Sequence, residues 1–97
     1  MTITDTTFLA TLMPQVRTLT NDTFTKSSWV AGVHIIALAD QLDTSAVTSE
    51  FLESEAWRRE AWFRVDGHNW SDWHRALNEN FIELCKLLLA RKVKVGA

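Results

Sequence analysis

Three histidines, one cysteine and twelve carboxylates are the groups in this 97-residue chain able to carry acid–base, metal or nucleophilic chemistry. Their spacing supports little of it. His34 and Asp40 are six positions apart, so a helix does not bring them to one face. His68 and His74 flank a glycine turn together with Asp66 and Asp72, and these four form a set that could converge on a divalent ion, but without any recognised ligand spacing. Glu79 and Glu83 share a helical face, yet no Glu-x-x-His element accompanies them. Arg75 and Lys86 within one turn make that face a solvated, charged one. Cys85 stands among Leu84, Leu87, Leu88 and Leu89, the setting of a small buried hydrophobe and not of a thiolate. Gly32, Gly67 and Gly96 are isolated, which excludes a phosphate-cradling loop, and no Ser, His and acid combination carries a local signature. The sequence points away from an enzyme: no catalytic residue, metal site or cofactor is expected.

Tryptophan and arginine make the stronger pattern. Trp57, Arg58, Arg59, Trp62, Phe63, Arg64, Trp70 and Trp73 crowd into seventeen residues and include four of the five tryptophans. These residue types anchor protein interfaces because each covers a large area and keeps a polar or cationic handle. On a helix, Trp57 and Trp62 lie about 140 degrees apart, so both cannot point into one core. Trp62, Trp70 and Trp73 are expected to fill the junction between two helices, leaving an exposed edge around Trp57, Arg58 and Arg59. The candidate partner-binding set is therefore Trp57, Arg58, Arg59, Trp62 and Arg64.

The leading functional expectation is a small, non-enzymatic helical protein that occupies a surface of another protein, as an inhibitor, adaptor or assembly subunit of the sort that phages and other mobile elements encode. A second reading places a nucleotide or single-stranded nucleic acid on the same arginines and indoles. The acidic pI near 5.8 and the interleaved Glu53, Glu55 and Glu60 weigh against it. A third reading is a structural homo-oligomer built on the second helix.

These side chains need helices to hold them. Composition, 46% hydrophobic and 23% charged, is that of one globular domain spanning residues 1–97. A first segment, capped by Thr4 or Asp5 and carrying Phe8, Leu9, Leu12, Met13, Val16 and Leu19, should be short or kinked at Pro14. The second runs from a cap at Thr25, Ser27 or Ser28 to Leu42. Its apolar positions Trp29, Val33 and Ile36 recur at helical spacing, which makes it the expected central helix. A third starts at Thr44 or Ser45 and ends at Asp66 and Gly67, with Val47, Phe51, Glu55 or Ala56, Trp62 and Val65 as its stripe. Glu55 with Arg59, and Glu60 with Arg64, should pair along it. The fourth, capped by Asn69 or Ser71, has the clearest stripe: Trp73, Leu77, Phe81, Leu84 and Leu88. Gly96 and Ala97 should fray. Val93 to Val95 alternates but is too short for a strand. The expected fold is an all-α, compact bundle of three to four helices.

Charge is unevenly placed behind a net value of −2: residues 1–56 hold two basic and seven acidic side chains, the rest eight and five. The longest apolar runs are too short to span a bilayer, and Met1 to Leu12 lacks the basic start of a secretory signal. A cytoplasmic protein without membrane contact is the expectation.

Overall fold

A computed structural model describes residues 2–96, with side chains through Val93. Along the chain come β1 (Thr2–Thr4), α1 (Phe8–Thr23), α2 (Ser28–Asp40), β2 (Asp43–Ala46), α3 (Ser49–Asp66), a 3-10 turn (Gly67–Asn69) and α4 (Asp72–Gly96). The result is an all-α bundle with one small sheet added. Gly96 is the last residue of α4, Val93 to Val95 are helical, and Ala97 lies outside the described residues.

The fourth stripe is the axis of the bundle. Leu77, Phe81, Leu84, Cys85 and Leu88 are buried and Trp73 is half-buried. α3 packs chiefly on α4, while α1 and α2 pack on α4 and on each other. The central helix is thus α4, and not α2 as its hydrophobicity suggested. From α1 come Phe8, Leu12, Val16 and Leu19, from α2 Ile35, Leu38 and Ala39, and from α3 Leu52 and Ala56. Phe8 bridges three helices, meeting Phe51 and Phe81 edge-on at centroid distances of 5.3 and 6.0 Å. One buried polar link joins α1 to α4: Asn80 Nδ2 donates to Thr20 Oγ1 at 3.0 Å, and that hydroxyl donates to Val16 O at 2.8 Å.

α1 runs as one sixteen-residue helix through Pro14. Proline deprives Ala10 O of a donor and crowds the preceding turn. Ala10 is exposed, so water can serve that carbonyl, and side chains add bonds to the neighbouring ones: Gln15 Nε2 donates to Thr11 O and Thr18 Oγ1 to Pro14 O, both at 3.1 Å.

β1 and β2 form a parallel pair with Thr2 opposite Asp43 and Thr4 opposite Ala46, one irregularity falling between. The expected cap of α3 at Thr44 or Ser45 is corrected here: both lie in β2, and the cap is Thr48, whose hydroxyl accepts from Phe51 N at 3.1 Å. Asp43 organises the strand instead, its Oδ1 accepting from the amide and the hydroxyl of Ser45. Asp5 is likewise not the cap of α1. Its carboxylate reaches across to accept from Thr48 N and Thr48 Oγ1, both at 2.9 Å. Thr4 is not the cap either: the N-cap is Thr7, without a side-chain cap bond, and Thr4 and Thr7 exchange amide-to-hydroxyl bonds that close the turn before α1. These ties cover Ile3 and Val47, both buried.

Candidate protein-binding surface

α3 mixes apolar and charged side chains on both of its faces. Against α4 lie Leu52, Glu55, Ala56 and Arg59, whereas Trp57, Trp62 and Val65 point away. Of the expected stripe, Val47, Glu55 and Ala56 are buried and Phe51 packs on the core, whereas Trp62 and Val65 are outside. Trp62 is 44% and Val65 77% exposed, because a buried glutamate and a buried arginine stem occupy the true inward positions.

Glu55 is only 3% exposed, and its Oε1 sits 3.3 Å from Arg58 Nη1 while Oε2 has no hydrogen-bond partner. The Glu55–Arg59 pair does not form. Arg59 instead lays its guanidinium over the Phe81 ring, 4.8 Å from the centroid, and 5.6 Å from that of Trp62. Burial lowers the Arg59 pKa, opposed by the Glu55 carboxylate. Glu60 meets Lys86 of α4 at 2.9 Å and not Arg64. That hydrogen bond raises the Lys86 pKa. Arg75 turns to Asp72, so Glu79 and Glu83 are left exposed and bonded to neither expected cation.

The indoles of the helix junction separate by environment. Trp70 is buried; it stacks on His74 at 4.3 Å, receives the edge of Trp62 at 4.9 Å, and donates from Nε1 to Asp66 Oδ2 at 3.1 Å. Trp73 is half-buried and donates to Asn21 Oδ1 at 2.9 Å. Trp62 therefore belongs to the rim of this cluster and not to its centre. Hydrogen bonds from Asn69 and Trp70 hold the Asp66 carboxyl below its ordinary value. Gly67 follows, where an added Cβ would strike the Phe63 ring.

Trp57 stands apart from this cluster at 67% exposure, in a shallow groove with Glu50, Glu53 and Ser54. Arg64 follows it on the same side of the helix, and Arg58 is 66% exposed on the flank. Of the candidate residues, the fold brings Trp57, Arg58, Trp62 and Arg64 to the outside of α3 and turns Arg59 inward. Sequence reasoning missed Glu50 and Glu53, which the i−4 and i−7 spacing from Trp57 would have placed beside it.

A second exposed apolar set lies on α2: Trp29, Val33 and Ile36, whose spacing made this the expected central helix. They are outside, and Ile35, Leu38 and Ala39 are inside. α2 is apolar around its circumference, so periodicity alone could not choose its inward face.

The four histidine-turn ligands do not gather. His74 is engaged with Trp70 while His68 is exposed, and among the described residues no three His, Cys, Asp or Glu side chains are placed to hold a metal. Cys85 is buried, and desolvation, with the Glu55 carboxylate adding to it, pushes its pKa up to about 12. Such a thiol is protonated and inert. No helix among the described residues is long and apolar enough to cross a membrane. Comparison with known protein families, curated protein sequences and solved structures finds no match.

Proposed function

We propose that this chain is a non-enzymatic binding protein that engages a protein partner through the outer face of α3, centred on Trp57. The observation that carries the reading is Trp57 itself, two-thirds exposed on a regular helix with acid on one side and base on the other. A solvent-exposed indole gains little from water, and a partner that covers it gains its whole apolar area. Trp57 and Arg58, with Arg64 and the rim of Trp62, supply the anchor chemistry typical of interface centres. Glu50 and Glu53 precede Trp57, and Arg58 and Arg64 follow it. A complementary partner segment then runs basic to acidic past the indole, with its own apolar side chain over the ring.

This polarity argues against nucleic acid on the same surface. Glu50 and Glu53 repel phosphates beside the indole, and Arg59 is committed to Phe81. The test is affinity capture from the source cell with quantitative mass spectrometry, comparing the wild type with Trp57→Ala and Arg58→Glu after circular dichroism has verified each fold. A partner whose recovery falls about thirtyfold for Trp57→Ala matches the loss expected at an interface anchor. Equal recovery by the folded variants refutes the surface.

A further inference from the structure

α2 is thirteen residues long and carries no Lys, Arg, Asp or Glu before Asp40, its last residue. Trp29, Val33 and Ile36 follow at spacings of four and three and form one outward stripe, with Trp29 at 74% exposure. Gly32 borders the stripe, and a Cβ built there meets nothing within 4 Å. Gly32 itself is half-buried, in a groove shared with Ala76, Glu79, Asn80 and Glu83 of α4 at the edge of the stripe. We propose that this face pairs with the same face of a second copy of the chain, α2 against α2, antiparallel about a two-fold axis.

Charge selects the occupant and the direction. The stripe is uncharged over its length, with Lys26 just before α2 and Asp40 at its end. Antiparallel pairing sets Lys26 of each copy by Asp40 of the other, at both ends of the contact. Parallel pairing sets like beside like. Antiparallel helices also oppose their dipoles favourably. Asp40 already holds Arg91 through Oδ1 at 2.8 Å, but it is 60% exposed, and its second oxygen can accept from Lys26. In the register that joins these ends, Val33 meets its own counterpart at the two-fold axis, and Trp29 lies beside Ile36 and Ala37 of the other copy. Each copy supplies both halves of every contact, the requirement of an isologous interface.

The pairing is weak and concentration-dependent. A helix of this length is about 20 Å long, and one such strip covers less than the roughly 800 Å² per partner of a standard interface. It is independent of the α3 surface, since α2 and α3 have their main packing on α4 and not on each other.

Sedimentation velocity on the full chain, from micromolar to near-millimolar concentration, tests the proposal. The wild type should pass from monomer to dimer, with Trp29 emission shifting to the blue. Ile36→Glu places two carboxylates in the apolar seam and should weaken association about a hundredfold or more; Val33→Lys is the second probe should that variant not fold. Lys26→Glu should weaken it about tenfold, and Lys26→Glu with Asp40→Lys should recover it. Trp57→Ala should dimerise as the wild type does. A wild type that remains monomeric, a dimer undiminished by Ile36→Glu, failure of the charge swap, or loss of the dimer in Trp57→Ala would each overturn the proposal.

Discussion

Replacing Thr20 with valine isolates the one buried polar link between α1 and α4. Thr20 is fully buried and Asn80 nearly so, and the amide of Asn80 donates to the Thr20 hydroxyl at 3.0 Å. Valine has the same branched outline, so the substitution opens no cavity and keeps the same restriction at χ1. What it removes is the acceptor. An amide donor left buried without a partner costs about 1–3 kcal/mol. Loss of the hydroxyl's bond to Val16 O adds little, because that carbonyl lies inside a helix and accepts the backbone bond of Thr20 as well. Taking ~2 kcal/mol, and about 4–8 °C of melting temperature per kcal/mol for a chain of this size, Thr20→Val should melt roughly 8–16 °C lower. Equilibrium urea denaturation gives the free energy, and Thr20→Ser, which keeps the acceptor, should lose distinctly less. Adding Asn80→Leu to Thr20→Val should recover part of the loss by removing the stranded amide. If Thr20→Val unfolds within 0.5 kcal/mol of the wild type, a threshold of about the size expected for surface changes, the link has no energetic role and the reasoning fails.

Asp5→Ala should lower stability by about 1–2 kcal/mol by deleting both bonds to Thr48, whereas Asp5→Asn keeps an acceptor and should lose about half as much in the same urea assay. Cys85, with its thiol pKa pushed up to about 12, should resist iodoacetamide in native protein and react only as fast as the chain unfolds; rapid native labelling would show the thiol is accessible. Asp66 titrates below its ordinary 3.8 when folded because Asn69 and Trp70 donate to it. A depressed folded value means that its contribution is complete above the unfolded value and is lost as pH falls through the folded one, so acid unfolding followed by tryptophan emission should begin at higher pH in Asp66→Asn. An unchanged acid midpoint would refute that role.

Much of the bundle was legible because its strongest stripe was also its true core: Leu77, Phe81, Leu84 and Leu88 are apolar, helically spaced and buried. α2 misled for the opposite reason, since a helix apolar on every side carries no phase. On α3 the inward positions are taken by Glu55 and Arg59, whose stems pack while their charged ends meet Arg58 and the Phe81 ring. A reader of hydrophobicity turns that helix the wrong way and buries Trp62. Helical angle set Trp57 outside, as it is, but it also set Trp62 inside, and the structure leaves that indole 44% exposed. β1 and β2 were illegible because Thr2-Ile3-Thr4 alternates over too few residues to signal a strand and Asp43–Ala46 does not alternate at all. Their pairing depends on Asp43 and Asp5 finding partners some forty positions distant.

The parallel pair also orders events in time. β1 is made first, yet its partner follows only after two helices, 41 positions later. At roughly 5–20 residues per second of synthesis, the strand waits about 2–8 seconds unpaired. Closing a loop of that length costs about 3 kcal/mol, comparable to burying Ile3 or Val47. A waiting edge strand ordinarily invites wrong partners. Here it is three residues long, two of them threonine, and offers a nascent neighbour almost nothing to extend.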